Sequence, residues 1–331
     1  MKNVLVVGGA GYIGGHVTDR LAEAGYTVRV YDNLLYEEKY LKPVDFVRGD
    51  ILDRRRLEPH LDWADAVVWL AALVGDGACS LNPSLTEQVN LESLKWVVRH
   101  FDRRLVFMST CSVYGAQEGI LDEDSPVNPL SLYAKTKVEA EKVIAPAESM
   151  AFRLGTIFGV GDHFSRLRLD LVVNLLTVKA CLYRRMSVYG GSQYRPLLHV
   201  RDVAEAVVPG IAATYRGVYN LLYANMTILD VAEKIAEFVP GVTIERTDLK
   251  FQDARNYQVS GAKAGATFGF KPKLTVYDGI REIKTLTEEG RIGDIHNTRY
   301  SNAEFLRPLI QRDPSPPGFE VVPSFTDMRA A

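Results

Sequence analysis

Cysteine is scarce in this chain of 331 residues: Cys79, Cys111 and Cys181 are the only three. An odd number in no metal-ligand spacing excludes a disulfide-stapled scaffold and a cysteine-bound metal, and fits free thiols in a reducing, cytoplasmic setting. An excess of one charge is missing too. Lysine and arginine number 39 against 41 acidic residues, and a balance of −2 gives no electrostatic reason to expect nucleic acid or an acidic membrane as partner. Long apolar runs are absent as well: nothing approaches the roughly 18 uninterrupted apolar residues of a membrane span. Val4 to Val7 already forms a strand-like run without a basic and then apolar leader before it, so an unexported protein is the expectation. What is present is 47% hydrophobic against 24% charged residues, enough to bury one large core or two unequal ones.

Up to about Leu154, short β-branched runs alternate with longer amphipathic stretches, the pattern of a parallel sheet covered by helices on both faces. The strand candidates are NVLVVG, TVRVYD, DFVRGD, AVVWLAA, RLVFMST and SMAFRLG. Helical patterns cover His16 to Ala24, Asn90 to Arg99 and Tyr133 to Ile144. The fold class is therefore α/β: a Rossmann-type, doubly wound parallel sheet over 1–154, to which later segments return. Residues 155–307 read as a smaller, mixed α/β substrate-binding cap. Five of the 15 prolines fall from Pro308 onward, so 308–331 is expected to be an extended tail.

The first strand runs into Gly8-Gly-Ala-Gly11-Tyr12-Ile13-Gly14 and a helix follows at once. Small residues at that junction let the backbone approach a pyrophosphate at the helix amino terminus. Glycines alone often only close turns; their place in the first βαβ unit carries the weight. The second strand ends at Asp32, where a carboxylate accepts hydrogen bonds from a ribose and repels a 2′-phosphate. NAD is thus expected over NADP.

Together with Asp32-Asn33-Leu34, Gly49-Asp50-Ile51, Leu70-Ala71-Ala72 and Tyr133-Ala-Lys-Thr-Lys137, the glycine spacing resembles the extended short-chain dehydrogenase/reductases, in their nucleotide-sugar epimerase/dehydratase branch. The likeness runs from residue 2 to about 285. It implies that Asp50 and Ile51 flank the adenine and that Leu70, Ala71 and Ala72 line the dinucleotide's backbone. It also implies a homodimer through the helices near 90–99 and 133–144.

Tyr133 and Lys137 stand one helical turn apart on one face. An ammonium beside a phenol favours phenolate, and a tyrosine with an ordinary pKa near 10 needs both that cation and the positive nicotinamide to act as a base near neutrality. By resemblance Thr110 is the third catalytic member, sharing the substrate hydroxyl with Tyr133, with Ser109 and Ser112 as alternates. Relatives that eliminate or decarboxylate carry carboxylates just after this hydroxyl; here Cys111 and Ser112 stand there. Elimination chemistry is therefore demoted, though a thiol of depressed pKa could still act as base.

The resemblance assigns diphosphate contacts to Arg195, whose guanidinium fork suits paired oxygens, and to Lys250, with Arg255 as competitor. Thr156, Arg168 and Asn174 are further substrate candidates, with Arg166 beside them; local ion pairs to Asp162 or Asp170 are the other reading of the two arginines. The stretch Phe164 to Asn174 resembles a subgroup that includes GDP-heptose 4-dehydrogenases. His199 reads as a packed strand residue and Asp202 as a helix cap.

The combined expectation is an NAD-dependent enzyme acting on a nucleotide-diphosphate sugar, a 4-epimerase working through a transient 4-keto sugar. A 4-dehydrogenase or 4-ketoreductase with net redox is the alternative. A 4,6-dehydratase and a non-catalytic NAD or sugar sensor rank below both.

Overall fold

The computed structural model describes residues 2–247 and 255–312. Seven parallel strands make the central sheet: β1 (Asn3–Val7), β2 (Thr27–Asp32), β3 (Asp45–Arg48), β4 (Ala66–Trp69), β5 (Arg104–Thr110), β6 (Ser149–Leu154) and β7 (Gly217–Leu221). Their spatial order is β7-β6-β5-β4-β1-β2-β3. The first six are the six runs legible in the sequence. The seventh comes from beyond residue 154 and pairs with β6, so the sheet is completed from the cap's half of the chain.

Alternation along each strand builds two cores. Val4, Val6, Val30 and Val106 face one way, against Val17 and Leu21 of the Gly14–Glu23 helix and Val203 and Val207 of the Val200–Ala212 helix. Leu5, Val7, Val67 and Phe107 face the other, against Leu57, Leu94 and Ile144 of helices Arg54–Trp63, Ser93–His100 and Leu132–Ile144. With both faces covered, the runs read as continuous apolar stretches.

The cap has its own core. A three-stranded sheet of Thr156–Phe158, Tyr194–His199 and Ala224–Thr227 lies with helices Val172–Tyr183, Ile228–Phe238 and Val276–Glu288 around Phe158, Leu176, Leu197, Ile235 and Ile280. The loop that leads into this half is tied to the dinucleotide half by an ion pair that is almost wholly buried. Lys42 Nζ stands 2.9 Å from Asp162 Oδ2 and donates to the Gly15 carbonyl at 2.8 Å. Gly15 is required there: a Cβ would fall 2.1 Å from an Asp162 oxygen.

Three sequence expectations need correction. The chain past Pro308 does not become extended at once, because the helix Asn302–Arg312 contains Pro308. Burial of Leu306 with Leu73, Cys79 and Leu85 outweighs the amide hydrogen bond that proline lacks. The tail beyond residue 312 lies outside the described residues. Second, the cap of the Val200–Ala212 helix is His199, whose Nδ1 accepts from the Arg201 amide at 3.2 Å. Asp202 instead accepts the amides of Lys273 and Leu274, each at 3.0 Å, and so anchors a distant loop. Third, the helix expected over 90–99 opens as a wider π turn over Gln88–Glu92 before the Ser93–His100 helix. No described helix is long and apolar enough to cross a membrane.

Candidate active site

A cavity of about 1010 Å³ opens at the carboxyl ends of β1, β2, β4 and β5, on the side where the strand order reverses. That is the ligand edge of a doubly wound sheet. Its volume is at the upper end of small-molecule sites, room enough for a dinucleotide and a second ligand together.

At its β1 end Gly8, at φ +83, has its missing side chain 2.5 Å from the Ala71 nitrogen, so only glycine lets β1 and β4 approach. At Gly11 a side chain would meet only the Gly8 carbonyl oxygen, at 3.4 Å, and would otherwise extend into the space the glycine leaves open. The helix that begins at Gly14 has no side-chain cap and no acid in its first turn, leaving its positive end for an anion. Asp32, at the end of β2, accepts from the amides of Ala10 at 3.0 Å and Leu34 at 2.7 Å. Burial raises its pKa while those two amides pull it down. Leu34 holds φ +60, a left-handed conformation rare for leucine, which turns the chain sharply after Asp32 and Asn33. Asn33 donates to Asp50 at 2.9 Å, and Ile51 and Leu70, Ala71 and Ala72 complete this wall. The donor set, open glycines and carboxylate fit a nicotinamide adenine dinucleotide. Tyr12 is held by the Gly159 carbonyl, which accepts its hydroxyl.

The chemical end gathers Thr110 from the end of β5 with Tyr133 and Lys137 from the Leu132–Ile144 helix, started by the Ser131 cap. Thr110 Oγ1 accepts the Ser112 amide at 3.1 Å, and Thr110 lies near enough to the Tyr133 phenol to lower its pKa. The alternate Ser109 lines the cavity too, but its hydroxyl donates to Glu141, whose carboxylate is forked by Arg153. The other alternate, Ser112, accepts from Arg255 Nη1 at 3.1 Å and borders the cavity.

The lysine alone does not bring the Tyr133 phenol toward neutrality. Its pKa lies well above the ordinary value, raised first by burial, then by Cys79 and Asp76, against the lowering effects of Arg168 and Thr110. Lys137 is buried, donates to the Met108 carbonyl at 2.7 Å and sits 4.6 Å over the Phe107 ring. Burial pulls its own pKa down to about 8. The spacing does place the pair on one face, yet desolvation outweighs a cation 5.9 Å from the ring centre. Cys111 carries no base: its thiol, buried and aimed at the Arg153 carbonyl at 3.2 Å, is pushed far up by burial.

In the cap's half, Arg195 is buried, lines the cavity and donates to the carbonyls of Tyr194 at 2.7 Å and Arg255 at 2.6 Å. Thr156 lines it as well. Arg168 reaches the wall but is forked onto Asp170 at 2.9 and 3.0 Å. Asn174 is not brought to the cavity. Fully buried, it links the backbone of Gly159 and Arg168 in three hydrogen bonds of 3.0 Å, a structural clasp that a polar residue in an apolar helix can form. Lys250 lies outside the described residues. Sequence reasoning missed Tyr36, Glu37, Asp76 and Asn302 in the cavity wall; no local motif marks them.

The fold, the glycine turn and the Thr110–Tyr133–Lys137 grouping define an NAD-dependent enzyme of the short-chain dehydrogenase/reductase type. The family model described as "NAD dependent epimerase/dehydratase family" matches residues 4–221, and the chain belongs to that family. It is 28% identical to a UDP-glucose 4-epimerase of Rhizobium meliloti (strain 1021) over 309 residues, covering 82% of this chain and 93% of that protein. It is 26% identical to UDP-glucuronic acid decarboxylase 1 of Arabidopsis thaliana over 296 residues, 84% of this chain and 68% of that one. Among solved structures, the UDP-glucose 4-epimerase of Thermus thermophilus complexed with NAD superposes with a TM-score of 0.74 at 26% identity, over 86% of this chain and 99% of that one.

Proposed function

We propose that this enzyme is a nucleotide-diphosphate-sugar 4-epimerase. The observation that carries the reading is that Thr110, Tyr133 and Lys137 line the chemical end of one cavity, while the Cys111 thiol is buried and donates to the Arg153 carbonyl. A phenol and a hydroxyl suit a sugar alcohol that loses and regains a proton. The two positions after Thr110 are Cys111 and Ser112 and carry no carboxylate, which favours epimerisation over the decarboxylase relatives' reaction, although Asp76 also reaches this wall.

When bound, the dinucleotide supplies a hydride acceptor and, once reduced, a donor. The chain's own residues do the rest. Tyr133 takes the proton of the C4 hydroxyl and later returns it, while Thr110 holds that oxygen through the shared hydrogen bond. Arg195, supported on two carbonyls, and Arg255 hold the diphosphate, so the nucleotide stays bound while the keto sugar turns in the site. Lys137 fixes the end of β5 through Met108 and keeps positive charge near the phenol. A homodimer through the helices Ser93–His100 and Leu132–Ile144 belongs to the same proposal; light scattering that gives one chain's mass removes it.

The test is incubation of the NAD-loaded protein with UDP-, GDP-, CDP- and TDP-hexoses, following the sugar by NMR and reduced nicotinamide by absorbance. Inversion at C4 without net reduction supports the epimerase. Accumulating reduced cofactor with a released keto sugar replaces it with the 4-dehydrogenase, and loss of a C6 substituent or of carbon dioxide replaces it with a dehydratase or decarboxylase.

A further inference from the structure

The family likeness ends near residue 285, yet residues well beyond it form part of the cavity wall: Ser301, Asn302 and Ala303 line the same space as Gly8, Asp32 and Tyr133. They open the helix Asn302–Arg312, which packs on the short helix Asp76–Leu81. Two loops border the dinucleotide side of the cavity, one after β2 and one after β4. The C-terminal helix joins them.

Its apolar face buries Leu306 among Leu73, Cys79 and Leu85 on the β4 side, and Phe305 meets Tyr36 on the β2 side with ring centres 5.3 Å apart. Asn302, 4% exposed, is the knot. Its Nδ2 donates to the Val74 carbonyl at 2.9 Å, its amide donates to Asp170 Oδ2 at 3.0 Å, and its Oδ1 accepts the Arg166 guanidinium. Arg166 also donates to the Arg299 carbonyl at 2.7 Å and lies 4.2 Å over the Tyr36 ring. Its backbone amide donates to Glu37 at 2.8 Å, and Arg299 closes the ring of contacts by pairing with Glu38 at 2.6 Å. One buried asparagine thus connects the β4 loop, the loop before the cap's first helix and the C-terminal helix, and through Arg166 it reaches the β2 loop.

The geometry points to a strap: residues 298–312 are a further part of the dinucleotide site and keep nicotinamide adenine dinucleotide from leaving between turnovers. A dinucleotide held in this cavity would lie between loops that the strap ties together, so its release would wait on the Asn302 knot opening. Retention of this kind suits a reaction in which the same dinucleotide accepts and returns a hydride. The inference rests on the cofactor and not on the epimerase reading.

Two variants of the full chain test it in opposite directions, with NADH as the probe and its fluorescence followed after addition of excess NAD. Asn302→Ala removes the knot and is expected to speed NADH release about tenfold or more. The pair Gly77→Cys with Ala303→Cys closes it: a Cβ at Gly77 would lie 3.3 Å from that of Ala303, so two cysteines there can join the strap to the Asp76–Leu81 helix. The oxidised pair is expected to release NADH about tenfold more slowly than the same protein after reduction, because the lifted conformation is removed. Equal release rates for the oxidised and reduced pair overturn the strap even where Asn302→Ala has unfolded the protein, and so does failure of the two thiols to couple. If the rates differ as expected while no nucleotide sugar is epimerised, the strap stands and the epimerase falls.

Discussion

The ammonium of Lys137 lies 5.9 Å from the centre of the Tyr133 ring and gives its hydrogen bond to the Met108 carbonyl, not to the phenol. The lysine acts on the tyrosine as a neighbouring charge and a fixed post. Burial holds the phenol's pKa above its ordinary value, so the base is expected to form when substrate and oxidised cofactor enter.

Tyr133→Phe keeps the ring and removes the proton acceptor. We expect kcat to fall by about 10²- to 10⁴-fold with NADH binding and melting temperature little changed, measured by steady-state assay beside fluorescence titration. Thr110→Val is expected to follow the same pattern with a smaller loss, because a hydroxyl that shares the substrate's hydrogen bond assists the transfer without carrying it.

Asp76 is the anion that acts on Tyr133 near neutral pH. Cys79 ranks above it as a cause of the raised tyrosine pKa, but burial pushes that thiol itself up to about 12, so it is uncharged where the enzyme works. Removing the negative charge with Asp76→Asn lowers the tyrosine pKa. The rising limb of kcat against pH is expected to move toward acid by up to about one unit. A limb that stays or moves toward alkali contradicts the assignment.

Lys137 links stability to pH. Its folded pKa of about 8 is below the ordinary 10.5, so between those values the unfolded chain holds a proton that the folded one has lost. Stability attributable to this group is therefore lowest below pH 8 and rises toward 10.5. Above pH 10 unfolded tyrosine begins to ionise while the raised pKa of half-buried Tyr133 resists it, which works the other way, so the clean window is 8 to 10. Urea midpoints should show Lys137→Met more stable than the parent at pH 7.5 by a few kcal/mol, on the order of 3 at most, with the gap narrowing at pH 9.5.

The Glu141–Arg153 pair is buried on both sides and holds the base of the chemical end: Arg153 donates to Glu141 at 2.7 Å and to the Tyr114 hydroxyl at 2.8 Å. Glu141→Ala leaves that guanidinium unpaired, and a loss of about 3–5 kcal/mol is expected by chemical denaturation. A loss below about 1 kcal/mol would mean that water reaches the pair.

The sheet and the glycine turn were legible because both are local. Fully buried parallel strands are continuous β-branched runs, and the backbone packing leaves no room for a side chain at Gly8 or Gly14 of the turn that follows β1. The Tyr133–Lys137 spacing was legible for the same reason, but its electrostatic state was not, since burial and the Asp76 charge come from elements distant in sequence. Asn174 misled because an amide in an apolar helix looks like a ligand until the carbonyls it ties are seen. Asn302 had no signal, as its role exists only where three remote segments meet.

The salt link of Lys42 with Asp162 bears on how ligands come and go. With Gly15 pressed against that aspartate, swinging the two halves apart like jaws would expose a desolvated charge pair and break a hydrogen bond at the foot of the first helix. Traffic through this enzyme should instead pass at the rim, by brief detachment of peripheral chain from a body that stays rigid.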